Sequence, residues 1–148
     1  MAQKSAIEKS QLLTAQMIWG ALTVSLGILV FVAQNLEQPL NDNSDLTTKL
    51  NSIFPIIAAV TFGVSIAIRN LKIAPKQQAH SQSGPTQSPI ARYLPRMLIR
   101  CALHESVAIL GFVLATLSNS PAALYPYAVA AILANLFVFP SVERVSAQ

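Results

Sequence analysis

The sequence predicts an all-α polytopic membrane protein, a bundle of four transmembrane helices. Three observations predict it. Only 11% of the 148 residues are charged while 53% are hydrophobic, against about 25% charged in soluble domains. The charges fall in short clusters, and the apolar runs between them approach the roughly 20 residues that a bilayer core demands. Those runs do not alternate apolar with polar residues, which excludes a transmembrane β-barrel. Backbone groups in hydrocarbon must then be satisfied within helices.

The first span is expected at 12–34. Lys4 and Lys9 precede it as they would in a secretion signal. However, the run is too long for one, and no small-x-small cleavage site follows before Glu37. The second span is expected at 50–69, with a possible start as early as Leu46, and the third at 97–117. The fourth is expected at 121–139, stopped by Pro140. Pro55 and Pro126 fall in the first turns of their spans, where a missing N–H is best tolerated. Between the second and third spans, 72–92 is rich in Gln, Ser and Pro with little to bury, and reads as a flexible linker.

Loop charges orient the bundle. The first connection carries Glu37, Asp42, Asp45 and Lys49, whereas the second carries Arg69, Lys72, Lys76, Arg92 and Arg96 with no acid. The basic connection belongs on the cytoplasmic side, and four spans then put both termini there, in keeping with Lys4, Lys9 and Arg144. The net charge of +4 is explained by these flanks, so no nucleic-acid partner is expected. With no transit-type N-terminus and no N-x-[ST] glycosylation motif, a bacterial inner membrane is the expected location.

The linker divides the chain into two halves that align as tandem hairpins. Ile18 to Leu36 laid over Ile99 to Leu117 matches at Ala21/Ala102, Ser25/Ser106, Ile28/Ile109 and Phe31/Phe112, among others, and Phe54-Pro55 then falls on Tyr125-Pro126. A duplication and the chance likeness of apolar helices both account for this. Small residues at helical spacing mark faces where helices can approach closely in lipid. The second span has Ala59, Gly63 and Ala67, and the third has Cys101 with Ala108, Gly111 and Ala115. In the fourth, Tyr125 and Tyr127 fit an interfacial aromatic belt. Trp19 lies deeper, where its indole N–H requires a partner.

Chemistry centres on Glu105, about two turns into the third span. A carboxylate at that depth costs about 2.5–3.5 kcal/mol on insertion scales, so it should face the bundle, paired or protonated. His104, Asn135 and Thr61 reach similar depths and complete the candidate ion or proton site. Adjacent helical residues point about 100° apart, so His104 reads as a neutral interface or lipid-facing group unless it relays a proton. For Glu105 two readings stand: a structural group joining helices, or a carrier that binds and releases a proton or cation. Cys101 is the only cysteine, which excludes an internal disulfide, and no metal-ligand or cofactor motif is present. No nucleophile elbow, phosphate loop or paired-carboxylate arrangement occurs either, so no enzyme is expected.

The stretch Ala102-Leu103-His104-Glu105-Ser106-Val107-Ala108, with Gly111 six residues after the acid, resembles the carboxylate helix of rotary ATPase c-type proteolipids. That resemblance implies Glu105 as the carrier of a translocated proton or sodium ion, and the tandem hairpins are similar to the duplicated members of that family. Apart from the resemblance, helix packing alone points to an interaction or assembly role, as a homo-oligomer or as a subunit of a larger membrane complex. A third expectation makes the basic linker a docking element for anionic lipid or a cytoplasmic partner.

Overall fold

The computed structural model describes residues 2–35, 44–70 and 89–143. Four α-helices form an all-α bundle: α1 (Ala2–Gln34), α2 (Ser44–Asn70), α3 (Pro89–Leu117) and α4 (Tyr125–Leu136), the last preceded by one 3-10 turn at Pro121–Ala123. Three are long and apolar enough to cross a membrane, over Lys9–Gln34, Asp45–Arg69 and Tyr93–Leu117. All three helices begin before their apolar runs do. Once nucleated, a helix propagates through polar residues of adequate propensity. Residues 89–92, expected in the linker, accordingly open α3. The rest of the linker lies outside the described residues, as do Glu37, Asp42, Lys72, Lys76 and Arg144.

The fourth segment departs most from expectation. The apolar helical stretch covers Pro121–Leu136, and its regular part is only 12 residues, about 18 Å against a hydrocarbon core of about 30 Å. The reasons lie at both ends. At the start, Pro121 and Ser120 set a 3-10 turn, with the Ala123 N–H donating to Ser120 O and that of Leu124 to Pro121 O. At the end, the Val138 and Phe139 N–H groups bond three residues back, to Asn135 O and Leu136 O, before Pro140.

Helix α3 is the hub. It packs against α1, α2 and α4, and α1 also touches α4, whereas α1 barely meets α2 and α2 barely meets α4. The hairpin arrangement is therefore realised by α3 with α4, while α1 and α2 are joined through α3. Toward α1 and α4 the hub presents small residues: Ala108 packs with Leu26 and Ala131, and Ala115 with Ala33, Leu124 and Ala128. Toward α2 it presents Val107 and Leu114, which pack with Phe54, Ala58 and Tyr127.

Gly111 marks the closest approach. A Cβ there would lie 2.6 Å from Tyr127 Cβ, so only glycine allows α4 so near. Tyr127 is thus drawn inward, 8% exposed, and only Tyr125, at 43%, keeps the outward position expected of an interfacial belt. The turn after α3 closes at Asn119, whose φ of 48° is a left-handed conformation that Asn tolerates. The Ser120 N–H then returns to Ala115 O.

The small residues of α2 behave differently. Ala59, Gly63 and Ala67 are exposed, and a Cβ on Gly63 would meet nothing within 4 Å. Among the described residues they pack against no other helix, because α2 turns Phe54, Ala58 and Ser65 toward α3 instead.

Candidate functional site

The consecutive residues His104 and Glu105 sit midway along α3 and, as the helical angle requires, face different neighbours. Each makes the polar link to another helix.

Glu105 turns to α1. Its Oε1 lies 2.6 Å from Ser25 Oγ, and Ser25 Oγ is also 2.7 Å from Leu22 O in its own helix. A serine hydroxyl has one proton to donate and lone pairs to accept with. With Glu105 ionised, Ser25 donates to the carboxylate. With Glu105 protonated, the acid donates to Ser25 Oγ and Ser25 donates to Leu22 O. Both protonation states are satisfied with the heavy atoms where they are, and only the hydroxyl rotates.

His104 turns to α2 and α4. It is 2% exposed, with Nε2 2.8 Å from Ser65 Oγ and Nδ1 2.8 Å from Asn135 Oδ1. The amide oxygen only accepts, so Nδ1 carries the proton and a neutral ring accepts at Nε2 from the Ser65 hydroxyl. Arg100 Nε donates to Ser65 Oγ over 3.4 Å, and the Phe62 ring leans over the imidazole with centroids 5.8 Å apart. The imidazole therefore ties α2 to α4 through α3. Asn135 is wholly buried, and its Nδ2 has no hydrogen-bond partner among the described residues.

Around this link, donors from the long helices meet the end of α4. A helix that stops within hydrocarbon leaves carbonyls that water cannot reach. Trp19 Nε1 donates to Asn135 O at 2.9 Å, Tyr93 Oη to Val138 O at 2.8 Å, and Gln16 Nε2 to Pro140 O at 3.2 Å. Trp19 also meets Phe139 edge to face at 4.9 Å. The partner expected for the Trp19 indole is thus a carbonyl at the end of α4.

The four residues of the expected ion or proton site are not one cluster. His104 and Asn135 are joined, and Glu105 stands apart on the α1 side. Thr61 donates to Ile57 O in its own helix at 2.8 Å, while Ser65, one turn on, holds His104. Nothing in the residue order singled out Ser25, an ordinary serine in an apolar run. Gly111 is the other functional position whose exact partner, Tyr127, no spacing could reveal. Comparison with protein families, with characterised proteins and with solved structures gives no match.

Proposed function

We propose that this chain is a four-span subunit of a bacterial inner membrane, with both termini cytoplasmic, whose work is assembly: it joins copies of itself or a larger membrane complex. The observation that carries this reading is the outward small-residue face of α2. Ala59, Gly63 and Ala67 are exposed, whereas Ala108, Gly111 and Ala115 of α3 are buried within the chain. In lipid, such faces are where helix backbones approach one another. The positive-inside argument supports the orientation, and the side-chain donors at the end of α4 support a fourth, shorter crossing completed by 137–140. The test is gentle-detergent extraction of the tagged protein followed by native mass spectrometry, beside Gly63→Leu. A defined complex that Gly63→Leu reduces to the single chain is the expected result. A monomeric wild type would refute it.

A second reading rests on a separate observation, the Ser25–Glu105 pair, which satisfies the acid in either protonation state. In that reading the chain is a proton- or cation-translocating subunit using Glu105, as the resemblance to c-type proteolipids implies. Liposome ion flux that persists in Glu105→Gln would exclude it.

A further inference from the structure

Helices α2 and α4 lie against α3 without closing on each other, and the space between them is not uniform. Its inner part is an open-sided slot of about 460 Å³. Val107 and Leu114 of α3 form its floor, with Pro55 and Phe62 on the α2 side and Tyr127 and Ala130 on the α4 side. Its outer part, where α2 begins and α3 ends, is a second space of about 290 Å³. There the lining changes to Thr47, Thr48, Asn51, Ser118 and Ser120. Asn51, Leu114 and Ala123 line both, so the two are continuous. Each falls in or near the range of about 300–1,000 Å³ usual for small-molecule sites.

We propose that this slot holds the hydrocarbon chain of a lipid whose head is neutral and hydrogen-bonding, such as a glycerol or sugar hydroxyl group. Three features point to that occupant over a neighbouring helix. The first is polarity: hydrocarbon lining gives way to hydroxyl and amide lining in one direction only, as the two ends of an amphiphile require. Among the described residues no charged side chain lines either space, so phosphate and carboxylate find no counter-charge among them.

The second feature is length. From Asn51 to Phe62 along α2 is about 16 Å at the helical rise, half of a hydrocarbon core about 30 Å thick. The slot therefore matches one leaflet. A transmembrane helix would need the full height, and the inner end is crossed by Phe62 over His104 and by the Ser65–His104–Asn135 link.

The third is where hydrogen-bonding groups meet the slot: the Tyr127 side chain lines its inner part, and Pro55 has no N–H to give the carbonyl of Asn51, the residue four back that lines both spaces.

The test uses the full chain in phosphatidylcholine nanodiscs with a monoacylglycerol that carries a diazirine in mid-chain. After irradiation, labelled peptides are mapped by mass spectrometry. Label should concentrate on the groove, above that on Ile28 and Phe31, which face outward on α1. Ala130→Phe should lower groove labelling about tenfold, a loss of about 1.4 kcal/mol, and leave α1 labelling unchanged. Should Ala130→Phe lose helicity, Ala58→Met gives the same comparison from the α2 wall. A lysophosphatidate probe of the same chain should label about tenfold less than the glycerol one. Equal label on groove and α1, label that survives filling of the slot, or cross-links to a second polypeptide there would each overturn the proposal. Equal labelling by the phosphate-headed probe would overturn the neutral head. The slot borders the α2 assembly face at Ala59, but the substitutions at Ala130 and Ala58 lie off that face, and cross-linking to a second polypeptide separates lipid occupancy from assembly there.

Discussion

Gly111→Ala should destabilise the bundle although alanine is the better helix former. The added Cβ would stand 2.6 Å from Tyr127 Cβ and 2.9 Å from its Cγ and Cδ2. Ordinary carbon contacts need about 3.5–4.0 Å, so α4 must retreat by about 1 Å. Rotating the tyrosine ring does not help, because the nearest atom is attached to the α4 backbone. Nor is α4 free to move, since Asn135 is held by His104 and Trp19. Overpacking of this kind costs about 1–3 kcal/mol, and the gain in helix propensity returns at most about 1 kcal/mol. The net should be a loss of up to about 2 kcal/mol. It can be measured by unfolding in mixed micelles of rising dodecyl sulfate fraction, with Trp19, the single tryptophan, as reporter. Tyr127→Ala keeps the offending Cβ and should not rescue Gly111→Ala, whereas Tyr127→Gly should. The same exchange at Gly63, where a Cβ meets nothing, should be neutral or stabilising by up to about 1 kcal/mol. Equal effects at the two glycines, or rescue by Tyr127→Ala, would refute the reasoning.

Other expectations concern the polar links. His104→Phe leaves Ser65 and Asn135 buried without their ring partners and should cost about 1–3 kcal/mol in the same titration; a loss below that range would mean α2 and α4 are held otherwise. Trp19→Phe and Tyr93→Phe each remove one donor from the end of α4 and should cost about 1 kcal/mol apiece. Amide exchange should rise at 135–139 and leave α2 unchanged, and uniform loosening would count against local capping. In a double-mutant cycle, Ser25→Ala and Glu105→Leu, which removes the acceptor, should couple by about 0.6–1.7 kcal/mol, the scale of interhelical hydrogen bonds in lipid. Additive effects would show that the 2.6 Å contact carries no energy.

Much of this architecture could be read from residue order. Apolar runs between charge clusters gave four helices, because hydrocarbon permits the backbone little else. The depth of Trp19 called for a hydrogen-bond partner, and Ala108, Gly111 and Ala115 fell at packing intervals. What could not be read is which face meets which helix. The α2 stripe has the same spacing as that of α3, yet one is outside and the other buried. Spacing defines a face, whereas the assignment depends on how the whole bundle closes. Depth likewise grouped Glu105, His104, Asn135 and Thr61, but depth is one coordinate. Helical phase separated Glu105 from His104, and Thr61 met its need within its own turn. The length of the last helix was overestimated because hydropathy alone does not register that helical bonding loosens at Phe137.

One hub helix explains both the tight and the open parts of the molecule. At and inward of His104, polar links fix α3 to every other helix: Glu105 to α1, and His104 to α2 and α4. The carbonyls at the end of the short α4 are met separately, by Trp19, Tyr93 and Gln16. Outward of His104, α2 and α4 are not bound to each other, and Gly111 holds α4 against α3, so a slot remains between them. The closed end and the open end are thus consequences of one arrangement. A substitution that lets α4 drift at Gly111 should change the slot and the stability together. One confined to Ser25 or Glu105 should change stability and leave the slot as it is.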